Sequence, residues 1–125
     1  MIPLLDTNVL VRFLTSDENP KYSQSYAFFR SVEQGETQVE LKLIVLFQTL
    51  FVLKSVYRVE MAAIADALLL LLEYKGLRMS EKRVIRHALE LWRDNNLEIV
   101  DCYLIACLKK DPGNVIYSYD KDFDR

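Results

Sequence analysis

Residues 2–10 read Ile2-Pro3-Leu4-Leu5-Asp6-Thr7-Asn8-Val9-Leu10. A short apolar run closed by an acid predicts a buried central strand over Ile2 to Leu5. Asp6, Thr7 and Asn8 then offer polar side chains of the kind that cap helices, so a helical turn is expected over Val9 to Leu14. A strand that delivers a carboxylate to the start of a helix is the opening of an α/β unit.

Outward from this stretch, helices and short strands alternate. Thr15 to Asn19 is polar, and Pro20 suits a first helical position. Tyr22, Tyr26, Phe29 and Val32 recur at helical spacing, which predicts a helix over residues 20–34 stopped by Gly35. A short strand is expected over Gln38 to Leu41. Leu43 to Tyr57 is apolar nearly all round, and a helix of that kind is sunk in the core or covered by a partner. Met61 to Lys75 predicts a second such helix, stopped by Gly76, with a small strand over Leu77 to Met79. Ser80 to Arg83 opens a helix that places Val84, Ala88, Leu91 and Trp92 on one face. A further helix runs over Ile99 to Lys110 and ends at Asp111-Pro112-Gly113. Val115 to Ser118 is expected to be the last strand. This order favours a parallel sheet covered by helices, and in such sheets ligands gather outside the carboxyl ends of the strands.

The composition narrows the chemistry. The chain has 125 residues, 51% hydrophobic and 27% charged, which fits one folded domain over 1–125. No apolar run approaches the roughly 20 residues of a membrane span. The N-terminus lacks the basic segment and long apolar core of a signal peptide, so a cytoplasmic location is expected. Cys102 and Cys107 are five positions apart, on different faces of a helix, and are expected to be small core residues rather than a disulfide. With His87 as the one histidine, expected at the surface, a zinc site is not expected. A metal here would be a hard cation held by oxygen. A net charge of −2 argues against coating nucleic acid by bulk attraction, yet not against touching a few phosphates. Arg12, Lys42, Lys54 and Arg58 are candidates for steering such phosphates.

Four acids stand at places where chemistry is done. Asp6 follows the first strand, Asp101 opens the helix at Ile99, and Asp120 and Asp122 follow the last strand. Each has a plain alternative: a helix cap for Asp6 and Asp101, a solvated turn for Asp120 and Asp122. Together, from distant parts of the chain, they form a set whose mutual repulsion would need a cation to offset it. Such a cation lowers the pKa of a bound water and orients in-line attack at phosphorus.

The segments IPLLDTNVL (2–10), NNLEIVDCYLIA (95–106) and VIYSYDKDFDR (115–125) resemble, in that order, three motifs of the PIN domain family. The nearest likeness is to the toxin halves of VapBC-type toxin–antitoxin pairs. The resemblance implies a three-layer α/β/α fold with a short, mainly parallel central sheet. It implies magnesium- or manganese-dependent endonucleolytic cleavage of RNA, with Asp6, Asp101 and Asp120 as metal-binding acids and Asp122 as a further ligand. Thr7, Asn8 and Ser118 become the supporting polar shell. A homodimer and a cognate antitoxin are the implied partners.

One position departs from the pattern. The family places a glutamate in the apolar helix after the second strand, where this chain has Gln48. An amide still offers one oxygen but no charge, which predicts weaker metal binding and weaker activation of water. Gln48 has a plain alternative as a buried amide satisfying backbone. Two other functions follow from the same residues. One is a catalytically weakened or inactive PIN-like module that binds RNA or protein. The other is a phosphoaspartate receiver, disfavoured because no mid-chain acid follows a convincing strand. The apolar surface of Phe47, Phe51 and Leu53 is expected to be core, with a dimer or antitoxin interface as the alternative.

Overall fold

The structure is a computed structural model that describes residues 1–15 and 23–119. It divides into two compact units, Met1–Ser80 and Glu81–Arg125.

The first unit holds α1 (Thr7–Thr15), α2 (Ser23–Gln34), β1 (Val39–Glu40), α3 (Leu43–Ser55), α4 (Met61–Leu72) and β2 (Leu77–Arg78). β1 pairs parallel to β2, with Val39 opposite Leu77 and Glu40 opposite Arg78. On its other side β1 meets the N-terminal segment through a parallel bridge between Leu4 and Glu40. The Leu5 N–H donates to Glu40 O at 2.8 Å, and the Glu40 N–H donates to Pro3 O at 2.9 Å. The fold is therefore α/β, with a short parallel ladder whose crossovers are the helices between its strands.

The predicted central strand over Ile2 to Leu5 is corrected by this arrangement. Among the described residues β1 is the middle member and the N-terminal segment has β1 as its partner. Leu5 is buried, but Leu4 is 64% exposed, and Pro3 has no N–H to give a ladder. The predicted strand over Val115 to Ser118 is also corrected. No strand forms there, and Val115 and Tyr117 are exposed. β-prone side chains do not make a strand without a ladder partner.

Two glycines punctuate the first unit differently. Gly35 ends α2 as expected, at φ +85°, where its N–H donates to Val32 O and the next N–H, of Glu36, donates to Ser31 O. Gly76 does not stop a helix, because α4 ends earlier, at Leu72, through tightened turns from Glu73 to Leu70 and Tyr74 to Leu71. Gly76 instead lies pressed between two main-chain carbonyls. A Cβ there would stand 2.0 Å from Thr37 O and 2.8 Å from Val32 O.

The core of the first unit comes from α1 (Leu10, Val11), α2 (Phe29, Val32), α3 (Leu46, Leu50, Leu53) and α4 (Ile64, Leu68, Leu71, Leu72). Phe13 of α1 stacks on Phe29 of α2, with ring centroids 3.9 Å apart. α3 packs on α1 and α4. Its all-apolar surface is only partly covered: Ile44 and Phe51 are 72% and 64% exposed. Thr49 is fully buried with no partner for its hydroxyl.

The second unit pairs α5 (Lys82–Asp94) with α6 (Ile99–Lys110). Val84, Ile85, Ala88, Leu89 and Trp92 form the buried stripe of α5, and Cys102 and Ala106 that of α6. Both cysteines are free thiols. Among the described residues no helix is long and apolar enough to cross a membrane.

The carbonyls around Gly76 give a direct test. Gly76→Ala should cost more than about 2 kcal/mol of stability, since backbone cannot move aside as a side chain can. Gly113→Ala, with nothing within 4 Å of the added Cβ, should change it by less than about 0.5 kcal/mol. Denaturant melts of the two variants check this, and equal stability would contradict the close approach.

Candidate functional site

The chain leaves the ladder at Leu5 and enters α1 at Thr7, so Asp6 stands at the helix N-cap. Its main-chain oxygen accepts the Leu10 N–H at 3.1 Å, and its carboxylate Oδ2 accepts the Asn8 N–H at 3.1 Å. The plain role of a cap is thus fulfilled. The same bond orients the carboxylate at the positive end of the helix dipole and occupies only one of its oxygens. Asp6 is exposed, which leaves the other oxygen open to solvent.

Packing of α1 on α3 brings Gln48 to this end of the unit. The Thr7 hydroxyl donates to Gln48 Oε1 at 3.4 Å, at the long end of hydrogen-bond range. Gln48 is exposed, which corrects the buried-amide alternative: the inward polar residue of α3 is its neighbour Thr49. Asp6, Thr7, Asn8 and Gln48 are therefore gathered at one end of the parallel ladder. Glu40, one strand over, is taken up by an ion pair with Lys42 at 2.6 Å, so Lys42 is not a bare cation for phosphate.

Asp101 belongs to the second unit. It lies in the first turn of α6, after an N-cap, Glu98, that makes no side-chain capping bond. An acid in that turn is stabilised by the helix dipole. Beside it, the Cys102 thiol is pushed up to about 11, first by burial and then by the Asp101 carboxylate. Ser118 is exposed on a stretch without regular structure. Asp120 and Asp122 lie outside the described residues. Among the described residues no three His, Cys, Asp or Glu side chains gather as a metal cage.

One contact escaped the sequence. Tyr103 of α6 donates its hydroxyl to the Glu81 carboxylate, the N-cap of α5, at 2.5 Å. That bond and, less strongly, burial hold the Tyr103 hydroxyl protonated well above the usual tyrosine range. The two residues are 22 positions apart, so no local pattern announces them.

Oxygen is the common donor of the gathered residues: one carboxylate oxygen of Asp6, the amide oxygen of Gln48 and the hydroxyl of Thr7. Oxygen donors of this kind are the ones that hard divalent cations such as magnesium and manganese take. A family model for the PIN domain matches residues 4–125 of the chain. No curated protein and no solved structure matches it.

The two roles of Asp6 separate by substitution. Asp6→Ala should cost about 1 kcal/mol through loss of the cap, while Asp6→Asn should leave stability nearly unchanged, because asparagine caps as well as aspartate. Thermal melts in the absence of metal check this. An Asn variant as unstable as the Ala variant would show that the charge, not the cap, orders the start of α1.

Proposed function

The chain belongs to the PIN domain family of nucleases, and from that premise we propose that it is a divalent-metal-dependent endoribonuclease, the toxin component of a toxin–antitoxin pair. The observation that supports this most is the fixed Asp6 carboxylate at the end of a parallel ladder, with an oxygen to spare and Gln48 alongside. Asp101, Asp120 and Asp122 complete the proposed ligand set, with Ser118 supporting it. Magnesium or manganese bound there would lower the pKa of a water and neutralise charge on the phosphodiester. The Asn8 N–H holds Asp6 in one orientation, and the Thr7 hydroxyl holds the Gln48 carbonyl toward the same end. Two side chains already restrained by hydrogen bonds suit the preorganised geometry that catalysis requires.

Gln48 favours a second reading, a PIN-like module that binds RNA or protein with little or no cleavage. Its neutral amide adds no charge to hold the cation. The proposed partners fit the exposed apolar side chains of α3 and α4. Ile44, Phe51 and Leu70 are 72%, 64% and 61% exposed, and side chains of this kind anchor helix-in-groove or homodimer contacts. A cytoplasmic location suits a ribonuclease of this kind.

Incubation of the purified chain with structured RNA and manganese should give fragments, and Asp6→Asn should slow their release by on the order of 10²-fold or more. Equal cleavage by both proteins would sink the catalytic assignment. Calorimetric titration with manganese should show Gln48→Glu binding about tenfold or more tightly than the natural residue. No gain in affinity would mean that the position lies outside the metal's reach.

A further inference from the structure

Phe13 of α1, Tyr26, Arg30, Glu33 and Gln34 of α2, and Tyr74 just past α4 line a cavity of about 480 Å³ in the first unit. We propose that this cavity binds a free aromatic α-amino acid, its ring against Phe13 and Tyr26, its carboxylate on Arg30 and its ammonium on Glu33. The inference goes beyond the nuclease reading and shares no residue with the site at Asp6 and Gln48.

The spacing on α2 sets the layout. Residues 26, 30, 33 and 34 recur about one turn apart, so they share one face of the helix. The buried Phe29 and Val32 form another. The cavity face is graded: aromatic in its first turn, cationic in its middle, then a carboxylate and an amide. Phe13 extends the aromatic end. It meets Tyr26 edge-on at 5.9 Å between ring centroids and lays one ring face on Phe29 at 3.9 Å. A ligand ring beside them joins a cluster already in the arrangements that aromatic rings favour. Tyr74 closes the polar end. Burial, then the Glu33 carboxylate and Tyr26, push its hydroxyl pKa up, as expected of three groups facing one space.

The plain account of Arg30 and Glu33 is a surface ion pair, since helix positions three apart are neighbours. Among the described residues no ion pair joins them. One cation and one anion thus stand roughly 5–6 Å apart between Cβ atoms, neither spent on the other. A ligand with a single charge is attracted by one of them and repelled by its neighbour. A ligand that carries both charges on one carbon satisfies both. The guanidinium matches a carboxylate through two parallel hydrogen bonds, and the Tyr74 hydroxyl oxygen is a further acceptor for an ammonium at Glu33. The volume lies within the roughly 300–1,000 Å³ of small-molecule sites.

The test is a ligand-observed NMR titration of the full chain with L-phenylalanine and three analogues, in EDTA and without RNA. L-Phenylalanine should bind about tenfold or more tightly than 3-phenylpropionate, which lacks the ammonium, and than phenethylamine, which lacks the carboxylate. Arg30→Gln should abolish the preference over phenethylamine and keep that over 3-phenylpropionate; Glu33→Gln should do the reverse. Both residues are exposed, so these near-isosteric changes leave the fold intact. L-Alanine, with the head group and no ring, should bind about tenfold or more weakly, and Tyr26→Ala should narrow that gap. Arg83→Gln, an exposed cation of the second unit, should change nothing. No binding of L-phenylalanine at millimolar concentration would overturn the proposal. So would binding that neither Arg30→Gln nor Glu33→Gln weakens. Amino-acid binding by a chain that cleaves no RNA under manganese would count against the nuclease reading and leave this site standing. Cleavage without amino-acid binding would do the opposite.

Discussion

Glu40 takes the Leu5 N–H on its carbonyl and gives its own N–H to Pro3, and these two bonds tie the start of the chain to β1. On the far side Val39 donates to Gly76 O and Leu41 to Arg78 O, so β1 is bonded along both edges. Everything at the candidate site is placed from there. The ladder fixes Leu5, Leu5 fixes the turn into α1, and the turn leaves Asp6 with no choice but to cap. Gly76 is part of the same constraint, because its lack of a side chain lets β2 approach the end of α2 closely enough to pair.

Much of this was legible in the sequence, and the failures have physical causes. The bounds of α6 follow from an apolar run ended by Asp111-Pro112-Gly113, and Gly35 announces the end of α2 because few other residues tolerate its backbone angles. Gly76 looks the same on paper but serves tertiary packing, which a one-dimensional pattern cannot express. Faces were hardest on α3. With Leu43 to Leu53 apolar almost throughout, periodicity gives no direction, so nothing in the sequence says that Thr49 points inward and Gln48 outward. Val115 to Ser118 has the composition of a strand, yet pairing is a property of two segments and composition describes only one.

The proposed function lays a structural and a chemical duty on one side chain. A carboxylate used only as a cap loses nothing when replaced by asparagine; one used for a cation loses its charge. In the proposed function, the capping bond of Asp6 would fix the orientation that its carboxylate offers a cation. Gln48 reverses the relation: it keeps the shape and the oxygen of a glutamate while leaving the charge behind.

The strands of the ladder are two residues long. So short a sheet has no stability of its own, and its order is lent by the helices packed on it. Protection of the Leu5 and Glu40 amides therefore depends on the core around them more than on the ladder itself. The placement of Asp6 is in this sense borrowed: it comes from the packing of helices distant in sequence rather than from the ladder that precedes it.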